Sequence, residues 1–219
     1  MKTFNRILKP AVFVSCLVPL MDMAWRALSG GLSANPIDDI TDWSGTWTLR
    51  FLLITLSVTP LRRITGWNGA IRFRRMLGLF AFFYGCLHLT TFVWLDQFFD
   101  VGAMIKDIAK RRFITAGMTA FSLMLPLAIT STRKWIARLG GVWWQRLHRL
   151  IYFSATAGVI HYLWLVKLDI HRPVIYGILL SLLLGYRIVL AVKARLVSPR
   201  PAAARERTVP PPRRLSPET

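Results

Sequence analysis

The sequence has few acidic residues and almost no cysteine. Among its 219 residues, 10 are Asp or Glu against 29 Lys and Arg, and 2 are Cys. Cys16 and Cys86 lie in apolar runs and form no CxxC pair, so we interpret them as small buried hydrophobic residues rather than metal ligands. The chain also lacks a P-loop and a GxGxxG motif after a predicted strand. We therefore expect no dinucleotide-binding domain.

High apolar content and large positive charge occur together in this chain. Hydrophobic residues make up 54% of the sequence, and the formal net charge is +19. A nucleic-acid-binding protein would carry such charge on an exposed face beside a soluble core. Here short arginine-rich connectors alternate with long apolar runs. This pattern indicates a polytopic helical membrane protein whose basic residues anchor the cytoplasmic ends of its helices.

Six apolar segments have the length of membrane-spanning helices, and we predict an all-α membrane bundle of six transmembrane helices. A helix needs roughly 20 apolar residues to cross about 30 Å of hydrocarbon. The segments are residues 10–28, 46–61, 76–95, 113–131, 148–166 and 173–193. The first follows a basic start and contains Pro19 and Asp22, so it also resembles a cleavable signal peptide. An uncleaved span agrees better with an even number of spans.

The distribution of lysine and arginine predicts that both termini are cytoplasmic. The N-terminus, the connectors after the second and fourth spans, and the C-terminal tail are basic, whereas the connector after the first span is acidic. The connector after the third span has mixed charge and argues weakly for the opposite membrane orientation. The other three connectors agree with cytoplasmic termini, and we give them more weight. We predict one membrane domain, residues 1–195, followed by a disordered Pro- and Arg-rich cytoplasmic tail, residues 196–219.

Two histidines lie inside predicted spans at equivalent positions. Each precedes an aspartate at the outer boundary by eight residues, His88 before Asp96 and His161 before Asp169. The third and fifth spans run in the same direction, so both imidazoles are expected at one depth. An ionisable residue inside a membrane is costly and is by default a candidate for function.

A glycine precedes each of these histidines by three residues, Gly85 before His88 and Gly158 before His161. Such a glycine is expected to leave a flat space beside the ring, although small residues also serve helix packing. Two imidazoles at one depth suit bis-histidine ligation of a b-type haem. A lone membrane histidine could instead hydrogen-bond a neighbouring helix. No third ligand is nearby, so the pattern does not fit zinc.

His148 lies thirteen residues before His161, which places it about 20 Å closer to the cytoplasm on a helix. That separation suits a second haem beneath the first. On an ideal helix, however, the two side chains point some 140° apart, so a bulge or tilt would be needed. The third span has Arg74 and Arg75 at the matching depth. A second haem would then be ligated by His148 alone or with an unusual partner such as Arg74. Alternatively, His148 is an interfacial residue.

Other ionisable residues each have two interpretations. Arg50, near the outer end of the second span and beside Trp47, could pair with haem propionates or extend to the interface. Asp22 could pair two helices or handle protons. The cytoplasmic arginines could contact a flavin phosphate or lipid headgroups. His171 is interpreted as a plain loop residue.

Five stretches carry a resemblance to a known family. They are "SANPI" (33–37), "LRFLLITLSVTPLRR" (49–63), "RRMLGLFAFFYGCLHLTTFVWLD" (74–96), "LPLAITST" (125–132) and "WWQRLHRLIYFSATAGVIHYLW" (143–164). In this order and spacing, within about residues 1–195, they resemble the haem-binding membrane subunit of the bacterial protein-methionine-sulfoxide reductase system. That family belongs to the ferric-reductase-like transmembrane superfamily.

The resemblance implies a multi-pass protein of the bacterial inner membrane that transfers electrons and does no substrate chemistry itself. Such subunits take electrons from a cytoplasmic flavin reductase or the quinone pool. They deliver them to a periplasmic molybdopterin enzyme that repairs oxidised methionines. The family contains haem b and is associated with FMN.

Carried onto this chain, the resemblance implies that His88 and His161 are the outer haem pair and that His148 is the further haem histidine. The wider superfamily has two histidines on each of two helices. This chain departs from that pattern at Arg74 and Arg75, so the number of haems stays open at one or two.

Three other functions are weighed against this one. A transmembrane ferric or oxygen reductase and a quinol-oxidising cytochrome b subunit would use the same haem. A transporter would instead use Asp22 and Arg50 as membrane charges, but the sequence shows no inverted repeat or paired broken helices.

Overall fold

The computed structural model describes residues 2–197, apart from the side chains of residues 2–6, 195 and 197, and in this range it contains helices but no β-strand. Its α-helices in chain order are α1 (Lys2–Leu28), α2 (Pro36–Thr65), α3 (Arg74–Thr90), α4 (Val101–Lys110), α5 (Arg112–Ile129), α6 (Arg133–Leu139), α7 (Gly141–Leu147), α8 (Leu150–Leu165) and α9 (His171–Val197). A 3₁₀ helix, Asn68–Arg72, precedes α3, and a π-helix, Thr91–Asp96, extends it. The all-α prediction is therefore confirmed for the described chain. Most of the predicted tail, residues 198–219, lies outside the described residues.

Each of the six predicted spans overlaps a long stretch of helix, although the third also includes the π-helix after α3 and the fifth begins in the turn before α8. Within the described residues, four helical segments are long and apolar enough to cross a membrane, namely Ile7–Leu28, Arg74–Asp96, Arg112–Ile129 and His171–Ala194. Of the other two helices, α8 has only 16 residues, and α2 carries Arg50 and many Ser and Thr residues. The crossing of all six helices, and the cytoplasmic position of both termini, stay predictions.

Local sequence explains where several helices begin and end. Pro36 starts α2, where the missing N–H costs no helical hydrogen bond, and Gly66 ends it with a left-handed φ of 70°. Asp100 caps α4 by accepting a hydrogen bond from the Ala103 N–H, 2.9 Å away. Thr132 caps α6 by accepting one from the Trp135 N–H. The sequence analysis did not predict α4, α6 or α7, because these helices are short and lie in connectors.

The core consists of two clusters that both include residues of α2. The first joins α1, α2 and α3 around Phe51 and Tyr84, whose stacked rings have centroids 5.2 Å apart. Tyr84 is fully buried, and its hydroxyl donates to the carbonyl of Cys16 at 2.9 Å. The second cluster joins α2, α8 and α9 around Leu56 and Ala155. In addition, α5 packs along α8.

Many large apolar side chains point outward from the long helices. Phe153 on α8 and Leu182 on α9 are each 65% exposed, and Val14 on α1 is 61% exposed. A soluble monomer rarely exposes apolar surface on this scale. The pattern is that of helices whose outer faces contact lipid.

An arginine completes the hydrogen bonding of α2 where a proline interrupts it. Pro60 has no N–H, so it leaves the carbonyl of Leu56 without its helical donor. Arg187 on α9 donates from Nη2 to this carbonyl at 2.7 Å and from Nη1 to the hydroxyl of Tyr152 at 2.9 Å. The guanidinium group therefore links α2, α8 and α9.

Candidate functional site

His88 is held by the N-terminal part of α2. Its Nδ1 lies 3.0 Å from the carbonyl oxygen of Thr41 and 3.3 Å from Oγ of Ser44. The Ser44 hydroxyl itself donates to the same carbonyl. A carbonyl only accepts, so Nδ1 carries the proton and donates, and the lone pair is left on Nε2.

His161 is held in the same way by a different helix. Its Nδ1 lies 2.6 Å from the carbonyl oxygen of Phe113, at the start of α5. This contact again puts the proton on Nδ1 and the lone pair on Nε2. Carbonyl partners of this kind fix the orientation of metal-ligating imidazoles and raise their basicity.

The structure brings these two imidazoles together. The ring centroids of His88 and His161 are 6.0 Å apart, and the ring planes make an angle of 74°. In the described chain neither Nε2 has a hydrogen-bond partner. Two histidines that are 73 residues apart in the sequence thus form one site between α3 and α8.

The glycines that make room for the two rings are not the expected ones. A Cβ at Gly85 would meet Phe121 and Thr48 at 3.6 Å, and one at Gly158 would meet Leu49 at 3.7 Å, which are ordinary contacts with other helices. The expectation that these glycines lie against the imidazoles is therefore wrong. The reason is that each ring turns towards the helix that holds its Nδ1.

Gly45 and Gly117 take that place instead. A Cβ on Gly45 would lie 2.9 Å from the His88 ring, and one on Gly117 would lie 2.8 Å from the His161 ring. Both distances are too short for any side chain, so the position of each imidazole depends on a glycine in the facing helix. The sequence signal was weak, because both glycines are many residues away from the histidines.

His148 lies in a turn rather than inside the fifth long helix. It caps the end of α7, and α8 begins at Leu150. The single helix assumed between His148 and His161 is therefore interrupted at its first turn, so the angle of an ideal helix does not apply. The ring stacks on Trp144 with centroids 3.9 Å apart, and its Nδ1 lies 3.1 Å from the Trp144 carbonyl oxygen.

The Nε2 atom of His148 is buried and has no partner among the described residues. The residue His148 lines a cavity of about 450 Å³ between α3, α5 and α8, which is within the usual size of ligand pockets. Arg74, Arg75, Arg149 and Tyr152 also line this inner cavity. The structure thus brings Arg74 and His148 to one cavity, as their expected equal depth predicts.

Arg50 lies in a second cavity, also of about 450 Å³, at the C-terminal end of α1 and the N-terminal parts of α2 and α9, which the predicted orientation would put on the outer side. Its guanidinium group lies over the Trp47 ring at 4.6 Å, and its Nε donates to the Tyr176 hydroxyl at 3.0 Å. Neither His88 nor His161 lines this outer cavity. The structure therefore does not bring Arg50 to the histidine pair through a shared cavity.

The remaining residues singled out from the sequence have simple environments. Asp22 forms an exposed ion pair with Arg26 on the same helix at 3.1 Å, which contributes little stability. His171 is exposed and starts α9 instead of lying in a loop. Cys16 is buried, as expected, whereas Cys86 is only half-buried, and both are free thiols. Among the described residues, no three His, Cys, Asp or Glu side chains cluster as metal ligands do.

The sequence analysis missed Arg187. It lies in an apolar helix, where an arginine is unusual, and its Nε is buried without a partner among the described residues. Because any ionisable residue inside a membrane is costly, this arginine could have been singled out from the sequence in the same way as the histidines.

Comparison with known proteins identifies the family. Residues 44–159 match the family described as "Ferric reductase like transmembrane component". A relative from Herminiimonas arsenicoxydans, named "Protein-methionine-sulfoxide reductase heme-binding subunit MsrQ", is 51% identical over 86% of this chain and 88% of its own length. The protein of the same name from Azospira oryzae is 51% identical over 93% of this chain and 85% of its own length. The one from Rhodospirillum rubrum is 50% identical over 89% of this chain and 94% of its own length. No solved structure matches the chain.

The family match includes His88 and ends two residues before His161. Together with the relatives it agrees with the several apolar helices of a multi-pass bacterial membrane protein. The chain therefore belongs to the MsrQ family of ferric-reductase-like transmembrane proteins.

Proposed function

We propose that this protein is a haem b electron-transfer subunit that carries electrons from the cytoplasmic side of the membrane to a periplasmic methionine-sulfoxide reductase. One observation carries the proposal. Each of three histidines directs its Nδ1 to a backbone carbonyl oxygen: His88 to that of Thr41, His161 to that of Phe113, and His148 to that of Trp144. This arrangement leaves three Nε2 lone pairs for metal and fixes the rings that carry them.

The outer pair has the donor set and the spacing for one iron. Two nitrogen ligands of one metal are roughly 4 Å apart, because each metal–nitrogen bond is about 2 Å long. Ring centroids 6.0 Å apart are compatible with such a separation of the facing Nε2 atoms. When bound, haem supplies an iron that accepts and releases one electron. His88 and His161 would both ligate this iron and so keep oxygen and water from binding to it.

The inner cavity supports the proposal of a second haem, which His148 would hold. Its buried Nε2 lacks a protein partner, and an unsatisfied buried nitrogen is costly unless a ligand uses it. The same cavity is lined by Arg74, and His148 is the one histidine among its described lining residues. A guanidinium group stays protonated and has no free lone pair, so Arg74 is a candidate for contact with an acidic group of the haem. Arg50, on the outer side, is a candidate for contact with propionates of the outer haem.

The direction of electron flow rests on the names of the relatives and on the charge pattern. The relatives are named as subunits of a protein-methionine-sulfoxide reductase. We propose that six spans place both termini and the arginine-rich connectors in the cytoplasm, with the facing histidine pair towards the periplasm. The acceptor would be a molybdopterin enzyme that repairs oxidised methionines. The donor would be a cytoplasmic flavin reductase or the quinol pool, with FMN as an additional cofactor.

A second candidate function follows from the family description, which names a ferric reductase. The final acceptor would then be a ferric chelate or oxygen. Oxidation of the reduced protein separates the two, because a physiological partner accepts electrons faster than a small molecule added at the same concentration. A quinol-oxidising subunit would instead change its haem spectrum when quinone analogues are added.

The haem-to-protein ratio and the visible spectrum test the proposal directly. We expect purified protein to show low-spin b-type haem, and His88→Ala or His161→Ala to abolish the outer haem. His171→Ala is the matched control, because His171 is exposed at the start of α9. An unchanged spectrum in both pair variants would refute the ligand assignment.

A further inference from the structure

Within residues 2–197, every acidic residue lies away from the inner cavity. These eight residues are Asp22, Asp38, Asp39, Asp42, Asp96, Asp100, Asp107 and Asp169. They lie at the end of α1, at the start of α2, or in and beside the connectors after α3 and α8. The remaining two, Glu206 and Glu218, are outside the described residues. Among the residues that line the inner cavity there is no carboxylate.

The inner cavity is strongly positive in contrast. Arg74, Arg75 and Arg149 line it directly. Arg187 lies immediately behind its wall, because Nη1 donates to the hydroxyl of the lining residue Tyr152 at 2.9 Å. The two ion pairs in the described chain, Asp22–Arg26 and Asp107–Arg111, involve none of these arginines.

Arg187 differs from the other arginines in how it is fixed. Two of its nitrogen atoms are bonded to the Leu56 carbonyl and the Tyr152 hydroxyl, and its Nε is buried without a partner. Both acceptors are neutral, so the positive charge of the guanidinium is held in place but not compensated. The residue as a whole is half-buried. Holding an unpaired charge partly out of water is unfavourable, and two neutral hydrogen bonds offset only part of that cost.

We propose that Arg187 is the fixed counter-charge of an acidic, redox-active cofactor in the inner cavity, and that it raises the reduction potential of that cofactor. This inference rests on the proposed second haem and assigns it a positioning residue on α9. The propionates of a bound haem would supply the negative charge that the described residues do not provide there. A positive charge favours the reduced form, which carries one positive charge fewer, because electrostatic interactions are strong in a water-poor interior.

The test measures midpoint potentials by spectroscopic redox titration of the haem-loaded protein. Arg187→Met removes the charge and keeps the length of the side chain. We expect it to disfavour reduction of the inner haem about tenfold, which corresponds to about 59 mV for one electron. The inner haem is identified as the one that His148→Ala removes. The outer haem, removed by His88→Ala, should keep its potential.

Two control variants separate charge from structure. Arg187→Lys keeps the positive charge but loses the paired hydrogen bonds, so the potential should stay near the wild-type value. Tyr152→Phe removes only the hydroxyl acceptor and should shift the potential much less than Arg187→Met. A large fall in the potential of the inner haem in Arg187→Lys would overturn the proposal. If Arg187→Met does not accumulate, Arg187→Lys alone can still refute the proposal in this way.

Thermal unfolding of the haem-free protein adds a readout that is independent of electron transfer. The uncompensated, half-buried charge of Arg187 destabilises the haem-free protein, so haem should stabilise the wild type more than Arg187→Met. Equal stabilisation of both proteins by haem would contradict the counter-charge role.

The outcomes also distinguish this inference from the proposed function. If His148→Ala removes haem while Arg187→Met shifts neither potential, or shifts both haems equally, the role of Arg187 is overturned and the second haem stands. If His148→Ala leaves the haem content unchanged, the second haem is absent and the inference fails with it. Loss of the outer haem in His88→Ala reports on the electron-transfer function independently of either result.

Discussion

Gly117 on α5 lies against the imidazole of His161 so closely that a Cβ on the glycine would be 2.8 Å from the ring. Gly45 has the same relationship with His88, at 2.9 Å. Each helix that accepts a hydrogen bond from a ring also leaves space for that ring. On α5 the acceptor is Phe113 and the glycine is Gly117; on α2 the acceptor is Thr41 and the glycine is Gly45. The facing pair is thus positioned by helices other than the two that carry the histidines.

Gly45→Ala and Gly117→Ala are expected to weaken haem binding while leaving the helices intact. The added methyl group displaces the imidazole by several tenths of an ångström, and a cofactor site tolerates only about 0.5 Å. We expect retention of the outer haem to fall about tenfold, equivalent to about 1.4 kcal/mol. The measurement is haem content after dilution or competition with a haem-binding protein.

Gly85→Ala and Gly158→Ala are the matched controls for this prediction. Their added Cβ atoms would make ordinary contacts at 3.6 and 3.7 Å. They should retain haem like the wild type. Equal losses in all four variants would mean that glycine acts through general helix packing and not through the imidazoles.

His148→Ala is expected to remove part of the haem and to leave the spectrum of the facing pair unchanged. The side chain belongs to the inner cavity, whereas His88 and His161 form a separate site. Quantitative haem extraction should therefore give a lower ratio than the wild type, with His171→Ala unchanged. A ratio of one haem in the wild type, retained in His148→Ala, would limit the protein to the outer haem.

Pro60 and Arg187 should be energetically coupled through the carbonyl of Leu56. In Pro60→Ala the new N–H becomes the helical donor to this carbonyl, so Arg187→Met should cost less in that background. We expect a coupling of about 1 kcal/mol in a double-mutant cycle of unfolding free energies in detergent. Pro126→Ala, in α5, is the control and should be additive with Arg187→Met. Additivity with Pro60→Ala as well would show that the hydrogen bond contributes nothing measurable.

The connector between α1 and α2 should loosen in acid through Asp39. Hydrogen bonds from the Ser33 backbone N–H and hydroxyl group lower the pKa of the Asp39 carboxyl group below its ordinary value. Because this pKa is lower in the folded than in the unfolded state, the ionised carboxylate stabilises the connector at pH values above the unfolded pKa of about 3.9. That stabilisation is lost as the pH falls through the pKa of the folded state. Hydrogen exchange of residues 31–39 should increase in that acidic range, and Asp39→Asn should remove the pH dependence. Identical pH profiles in both proteins would exclude Asp39 as the cause.

The long helices could be predicted from sequence because lipid imposes a simple requirement on length and hydropathy. The pairing of His88 with His161 could be predicted as well, since both residues are equally far from an acidic boundary. The break at His148 could not be, because no glycine or proline lies at the turn between α7 and α8. Gly45 and Gly117 were missed for a different reason, since a contact between two helices leaves no local pattern.

Arg187 illustrates a further limit of sequence reasoning. Its position in an apolar helix is visible, but its acceptor is a backbone carbonyl that becomes available only because Pro60 lies four residues further along another helix. Nothing in either segment alone predicts that contact.

Pro60 in α2 and Arg187 in α9 compensate for each other. Without the arginine the carbonyl of Leu56 would lack a donor, and without the proline the guanidinium group would lose an acceptor in an apolar environment. Natural selection should then act on the two positions jointly. In distant relatives, replacement of the proline by an ordinary helix former should be accompanied by loss of the arginine, and this covariation would be visible without any knowledge of structure.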